Sequence, residues 1–479
     1  MRYALILLLC ALSQQATAGE AASKTAWRSA LYPQNWTASL TDSSGRFLHD
    51  FSYAGYHNGT VPLPETLPGE TFDVTTYGAD NTGHSDATAP IQAAIDAAQA
   101  EGGGIVYFPS GLYRCDGALL VSASNMVLRG EDPAITLLYF TKFDGMQYGA
   151  HLLFQGNVQT EAPLLLTQDG TSRSRTAYVN ATANLAPGDD LAAGFIMSEA
   201  FFEEHGMAGL WPETYLNQWI PMFQRNISSV ASQGPPYTVT LDVPLRYPLK
   251  TRDQAALRRQ TGYLEECGIE RLGLANAVAW DDAWTQIGVA LVRFSGVKDS
   301  WIRNVISFVS PADPQEKYHL QNIGINIAGS KRVTVSDCHL ELSQNMGPGG
   351  CGYLYLTSGT SDVLFRDCTG IKGRHNFIDG SGFCTSGTVY LRCESAGGKI
   401  WNTPTDAFPL TGFADYHNKL AIACLVDSCT IRDGWQGGNR RSYSDHAGHT
   451  CTQNVFWNNN GNDNGVLESW AFGWGYIIG

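Results

Sequence analysis

Six of the eleven histidines in this chain lie between residues 319 and 449, most of them close to a lysine, an arginine or a carboxylate. Three clusters stand out: Lys372-Gly373-Arg374-His375-Asn376, Asp415-Tyr416-His417-Asn418-Lys419, and Asn439-Arg440-Arg441 followed by Asp445-His446 and His449. These residue types suit removal of a proton from a carbon beside a carboxylate. A cation or amide donors must neutralise the carboxylate, a Lys, His or Tyr takes the proton, and an acid protonates the leaving oxygen. Arg374 and His375 are expected at the centre, with Lys372, His417 and His446 as further catalytic candidates. Arg440, Arg441, Lys399, Asn376, Asn345, Gln436 and Trp435 are the expected substrate contacts. Hydrolysis is the rival chemistry and needs two carboxylates, one held protonated. Asp281-Asp282 in WDDAW, Asp379, Asp406, Asp415, Asp433 and Asp445 could supply them.

Elements that bring such distant clusters together must repeat. The segments VTVSDC (ending at Cys338), VLFRDC (Cys368), TVYLRC (Cys393) and CLVDSC (Cys429) each alternate residues as strands do and each end in Cys. VKDSWIRN (to Asn304) and TQNVFWNN (near Asn458) fit the series with Asn in place of Cys. Recurrence with alternation predicts stacked coils, with the four cysteines forming an internal ladder of small buried residues. Counting from each ladder Cys, the same offset gives Asn345, His375 and Gln436, with Lys399 one place earlier; a longer offset gives Asp379 and Arg440. That count predicts one cationic surface on an acidic protein, suited to an anionic ligand such as a uronate.

Upstream, Phe72–Tyr77 reads as a short strand before a Gly turn. Asp86 or Thr88 can cap a helix with Pro90 in its first turn, and Ile91, Ala94, Ile95 and Ala98 recur at helical spacing. Gly102-Gly103-Gly104 ends that helix, a strand follows, and Pro109 and Gly111 make the next turn. This segment closely resembles the N-terminal signature of the pectate-lyase-like superfamily. The matching residues are Tyr77-Gly78-Ala79, Asp80, Asp86, Thr88, Ile91-Gln92, Ala94-Ile95, the triple Gly, Pro109, Gly111 and Tyr113. The resemblance implies an all-β, right-handed parallel β-helix whose N-terminal α-helix shields the first coil, as solenoid ends require. It also implies a polysaccharide partner, acidic in the leading reading, and β-elimination on a uronate-containing chain. Alginate lyases and the dermatan-cleaving chondroitinase of that superfamily use a Lys/Arg pair. Lys372 and Arg374 resemble that pair in type, but the surrounding residues do not match. The polygalacturonase order of NTD, DD, GHG and RIK motifs is absent; AGH at 447–449 matches it only in part. Glycoside hydrolysis or glycan transfer, and a non-catalytic carbohydrate-binding surface, are the alternatives.

Residues 1–18 read as a signal peptide: Arg2, an apolar run from Ala4 to Leu12, and an Ala16-Thr17-Ala18 cleavage site. A secreted (or periplasmic) protein is expected. Residues 19–70 read as an arm with Pro62, Pro64 and Pro68, and 71–479 as the solenoid, interrupted by a β-rich insertion at about 168–250. The net charge of −14, from 31 basic and 45 acidic side chains, argues against a nucleic-acid partner. No further apolar run is long enough to predict a membrane span. Ten cysteines would follow the leader, an even number that permits disulfides without implying them. No cofactor is expected with certainty. Calcium stays open as a ligand, although no acidic cluster at a suitable spacing marks it.

Overall fold

A computed structural model of the protein describes residues 28–65, 69–182, 184–231, 233–406, 408, 410–461 and 465–479. The leader predicted over 1–18 lies outside these residues. From Arg271 onward, successive coils turn a corner on one residue with left-handed backbone: Arg271, Asn304, Asp337, Asp367, Arg392, Ser428 and Asn458, with φ between 47° and 55°. Asp and Asn tolerate that conformation better than most side chains, which suits four of these seven positions. The next residue turns inward and stacks in register along the axis, giving Leu272, Val305, Cys338, Cys368, Cys393, Cys429 and Asn459. The four cysteines therefore form the expected ladder, each at most 2% exposed and unbridged. Asn304 departs from the expectation: it is the corner itself, and Val305 takes the Cys place. At the other end Asn459 does take it, its Oδ1 accepting the Cys429 N–H at 2.9 Å.

Two faces of each coil belong to a nineteen-stranded sheet and the third is a separate nine-stranded parallel sheet. That third face stacks Leu119–Val121, Ala150–Gln155, Ala290–Ser295, Ile323–Ala328, Tyr353–Ser358, His375–Ser381, Ala414–Asn418, Trp435–Gly437 and Leu467–Ser469. Its inward side chains fill the bore with aromatic rings. Tyr355 stacks on Phe377 at 4.8 Å and Phe377 on Trp435 at 5.7 Å, beside the Phe365–Tyr390 stack at 5.0 Å. The predicted capping helix spans Thr88–Ala100 and buries Ile91, Ala94, Ile95 and Ala98 against the first coil. Asp86 Oδ1 accepts both the N–H and the hydroxyl of Thr88 at its start.

The interruption is a seven-stranded antiparallel sheet between Gln159 and Thr261, wider than the interval read from the sequence. It has its own apolar core, including Phe195, Phe201, Trp211 and Phe223. It is fastened to the solenoid by a buried ionic clamp. Asp362 receives Arg225 at 3.0 Å and Arg246 at 2.6 Å, all three at most 3% exposed. Arg246 also donates to the Asp50 carbonyl at 3.1 Å, tying in the N-terminal arm.

Candidate active site

The outer face of the nine-stranded sheet carries a groove whose floor follows from the strand register. One row of paired positions reads Leu120, Leu153, Arg293, Asn326, Leu356, Ile378, Asp415, Gln436 and Glu468. Over its middle lies a cleft of about 710 Å³, lined among others by Tyr148, Arg293, Asn326, Tyr353, Arg374, His417, Ser444 and Asp445. Residues at one register position along successive coils form a straight track, which suits an extended polymer.

At the C-terminal side of the cleft, the alternation of Asp415-Tyr416-His417 sends Tyr416 into the core and leaves Asp415 and His417 on the outer face. Asp415 is fully buried all the same, because Arg440 from the next coil covers it and donates to its Oδ2. His417 Nδ1 lies 2.9 Å from the same oxygen and 3.0 Å from Arg440 Nη1. A single ring N–H serves one neighbour, and the charge-assisted bond to the carboxylate is the stronger choice. Arg440 Nη1 then donates to the Ser444 hydroxyl at 3.2 Å. With Nδ1 committed to Asp415, Nε2 is the nitrogen His417 offers to the cleft. Burial pushes the Asp415 carboxyl up, but Arg440 and the histidines outweigh it and hold the group well below the ordinary carboxylate range.

His375 stands beside this array, its ring 5.5 Å from that of His417. Its Nδ1 donates to the Phe413 carbonyl, and its buried Nε2 has no partner. Burial pulls His375 down to about 3, so the ring is neutral at any ordinary pH. Tyr353, its register partner, packs against both imidazoles at 5.4 and 6.0 Å. Burial raises its phenol to about 12 and keeps it protonated. Arg293 and Arg374 line the same cleft and, among the described residues, form no ion pair. Arg293 is braced on the Tyr148 carbonyl at 2.7 Å and Arg374 on that of Gly347.

Of the residues expected from the sequence, the structure brings Arg374, His375, His417 and Arg440 together. Gln436 and Arg441 lie farther along the groove. Asn345 is buried, donating to the carbonyls of Ala283 and Gln286, and Asn376 is buried on Ser395, Ala396 and Asp433. Trp435 sits in the aromatic bore, 1% exposed, where no substrate reaches it. Lys372 and Lys399 are exposed and outside the cleft lining, as is His446 at the end of the Tyr443–His446 turn. The common offset from the ladder Cys does not survive as a register: Gln436 pairs with Asp415, and His375 pairs with Tyr353. The connections between the Cys corner and the next strand differ in length, so equal counts reach unequal heights. Asp379 points inward to Tyr390 and Thr357, and burial lifts it to about 6. Tyr353 and Arg293 escaped sequence reading. A lone Arg in the apolar run Ala290–Phe294 was the available signal for the second.

His375, Asp415 and His417 each place one ligand-type atom within 4.8 Å of the others. Two imidazoles and one carboxylate suit a transition metal better than calcium, which takes oxygen ligands. Arg440 already pairs with Asp415 Oδ2, while His375 Nε2 and Asp415 Oδ1 are buried without a hydrogen-bond partner.

A family model described as rhamnogalacturonase A/epimerase, pectate lyase-like, matches residues 71–171. Mannuronan C5-epimerase AlgE1 of Azotobacter vinelandii is 36% identical over 120 residues, 25% of this chain and 7% of that protein. Alginate lyase 7 of the same organism is 43% identical over 74 residues, 14% of this chain and 8% of that protein. The chain thus spans less than a tenth of the length of these two relatives. Among solved structures, the tailspike protein gp49 from Pseudomonas phage LKA1 superposes with a TM-score of 0.57 at 15% identity, over 85% of this chain and 63% of that one. The coil architecture and this likeness over most of the length establish a right-handed parallel β-helix, and the match over residues 71–171 makes its capping region similar to the pectate-lyase-like family.

Proposed function

We propose that the protein acts on a polyuronate, removing the proton at C5 beside a sugar carboxylate, with β-elimination as the outcome. The observation that carries this reading is the Asp415–His417–Arg440 array opening onto a cleft with two arginines that form no ion pair among the described residues. Arg374 and Arg293 would hold sugar carboxylates, and neutralising the one beside C5 stabilises the carbanion-like transition state. His417 Nε2 takes the C5 proton, and Asp415 stabilises the resulting imidazolium. The C5–H electron pair becomes the C4–C5 double bond, and the C4–O bond breaks. The leaving oxygen takes its proton from the Tyr353 phenol, which burial keeps protonated. Names of the relatives support a second outcome from the same first step. In epimerisation Tyr353 would return a proton to the opposite face of C5. Hydrolysis draws less support. Asp445 is the one carboxylate lining the cleft among the described residues, and the charge of Asp415 is taken up by Arg440 and His417. Export through the N-terminal leader belongs to the same proposal, since such polymers lie outside the cell.

Incubation with a panel of acidic and neutral polysaccharides tests it. Ultraviolet absorbance of unsaturated uronate, reducing ends and the C5 configuration by NMR are followed together. Absorbance with new reducing ends is expected; inverted C5 without cleavage would assign epimerisation. Reducing ends without absorbance would make the protein a hydrolase, and binding without any change would make it a carbohydrate-binding β-helix.

A further inference from the structure

We propose that the groove continues past Arg440 into a second sugar-binding subsite built on Trp470 and Arg441, which takes a further uronate of the same chain; this rests on the polyuronate reading above. A separate cavity of about 420 Å³ lies there, lined by Gln436, Asn439, Arg440, Arg441, Glu468 and Trp470. Arg440 belongs to both places: its guanidinium engages Asp415 and His417, and the same side chain walls the second cavity. The floor is continuous as well, because Asp415, Gln436 and Glu468 are consecutive rungs of one row. Two rungs of a parallel sheet place Glu468 roughly 10 Å along the groove from Asp415.

Trp470 is 74% exposed, and the described residues offer its indole no ring contact and no hydrogen bond. Its backbone is nonetheless held in place. Its backbone N–H donates to the Gly437 carbonyl at 2.8 Å, and a Cβ on Gly438 would come within 3.2 Å of the Trp470 Cβ. Glycine at 438 thus gives the indole its place against the backbone. A lone exposed aromatic would mean little. One fixed at the wall of a polar cavity continuous with the active site offers a flat face to the C–H side of a pyranose. Arg441 supplies the charge. Its backbone N–H is held by Asn439 Oδ1 at 2.9 Å, its side chain is exposed, and it forms no ion pair among the described residues. Arg440 is already spent on Asp415, and Glu468 opposes an anion, so Arg441 is the cation that selects a carboxylate here.

The test uses the full chain with Trp470→Ala and Arg441→Gln, both at exposed positions, in otherwise wild-type and in His417→Ala backgrounds. Oligouronates of increasing length and neutral oligosaccharides of equal length are the probes. Each variant should lower kcat/KM on long oligouronates by roughly tenfold, the scale of one aromatic or charge contact. The shortest oligomers turned over should change by less than about twofold by the same reckoning. In the His417→Ala background, long oligouronates should quench a tryptophan signal that disappears with Trp470→Ala. Undiminished turnover of long chains by both variants would overturn the subsite and leave the proposed function standing. Quenching of Trp470 by neutral and acidic oligomers alike would overturn the uronate assignment of this subsite, whereas wild-type protein that turns over no oligouronate would overturn the polyuronate reading itself. No quenching by either would overturn the subsite.

Discussion

His417 is a usable base because its neighbours decide which nitrogen is free. Asp415 holds Nδ1 and Arg440 keeps Asp415 ionised, so the ring presents Nε2 to the cleft. His417→Ala should lower kcat by about 10²–10⁴, the usual worth of a general base, with circular dichroism unchanged. A loss below tenfold would remove it from that role. His375 differs in kind. Burial keeps it neutral, with a value near 3 and an unpartnered Nε2, so it orients rather than titrates. His375→Gln should therefore reduce the rate without moving the acid limb of the pH–activity profile; a displaced limb would show that His375 does titrate in turnover. The cluster of 415–419 was legible in the sequence, but the pairing of Asp415 with His417 on one strand face was not read from it, although alternation along a strand would allow it. Tyr353 and Arg293 were not legible, because only the register reveals which coil faces His417.

At the scale of elements, the repeat was legible because four successive coils turn on a left-handed corner before an inward Cys. The wrong offset for Gln436 has the same origin. The corner fixes one edge of each coil, while the connections leading to the nine-stranded sheet vary and carry no fixed count. Trp435 was misread for a related reason: beside a loop rich in polar residues, an aromatic on an inward strand position looks like a surface platform. The insertion shows how separate elements are held in place. Asp362 is the shared buried anion for Arg225 and Arg246. Asp362→Ala leaves two buried cations unpaired and should cost about 3–5 kcal/mol in chemical denaturation. A loss under about 1 kcal/mol would mean the apolar contacts of the inserted sheet hold it unaided.

The whole molecule carries an acid sensitivity separate from its catalysis. His49 and His375 are held near 3, and His151, His205 and His319 near 4, in each case first by burial. Each folded-state value lies below the ordinary 6.5, so the unfolded chain binds protons first as pH falls. Stability from these five groups is therefore full above 6.5 and is lost progressively toward 4 and 3. The melting temperature should fall steeply over that window, and a flat profile from neutrality to pH 4 would contradict the burial. The molecule's negative net charge coexists with a groove whose arginines are concentrated along one face, where the proposed proton removal at C5 takes place. A polyuronate carrying deuterium at C5 tests it directly, because elimination and epimerisation both break that bond and hydrolysis does not. The prediction is His417-dependent loss of the label to water; new reducing ends with the label intact would contradict it.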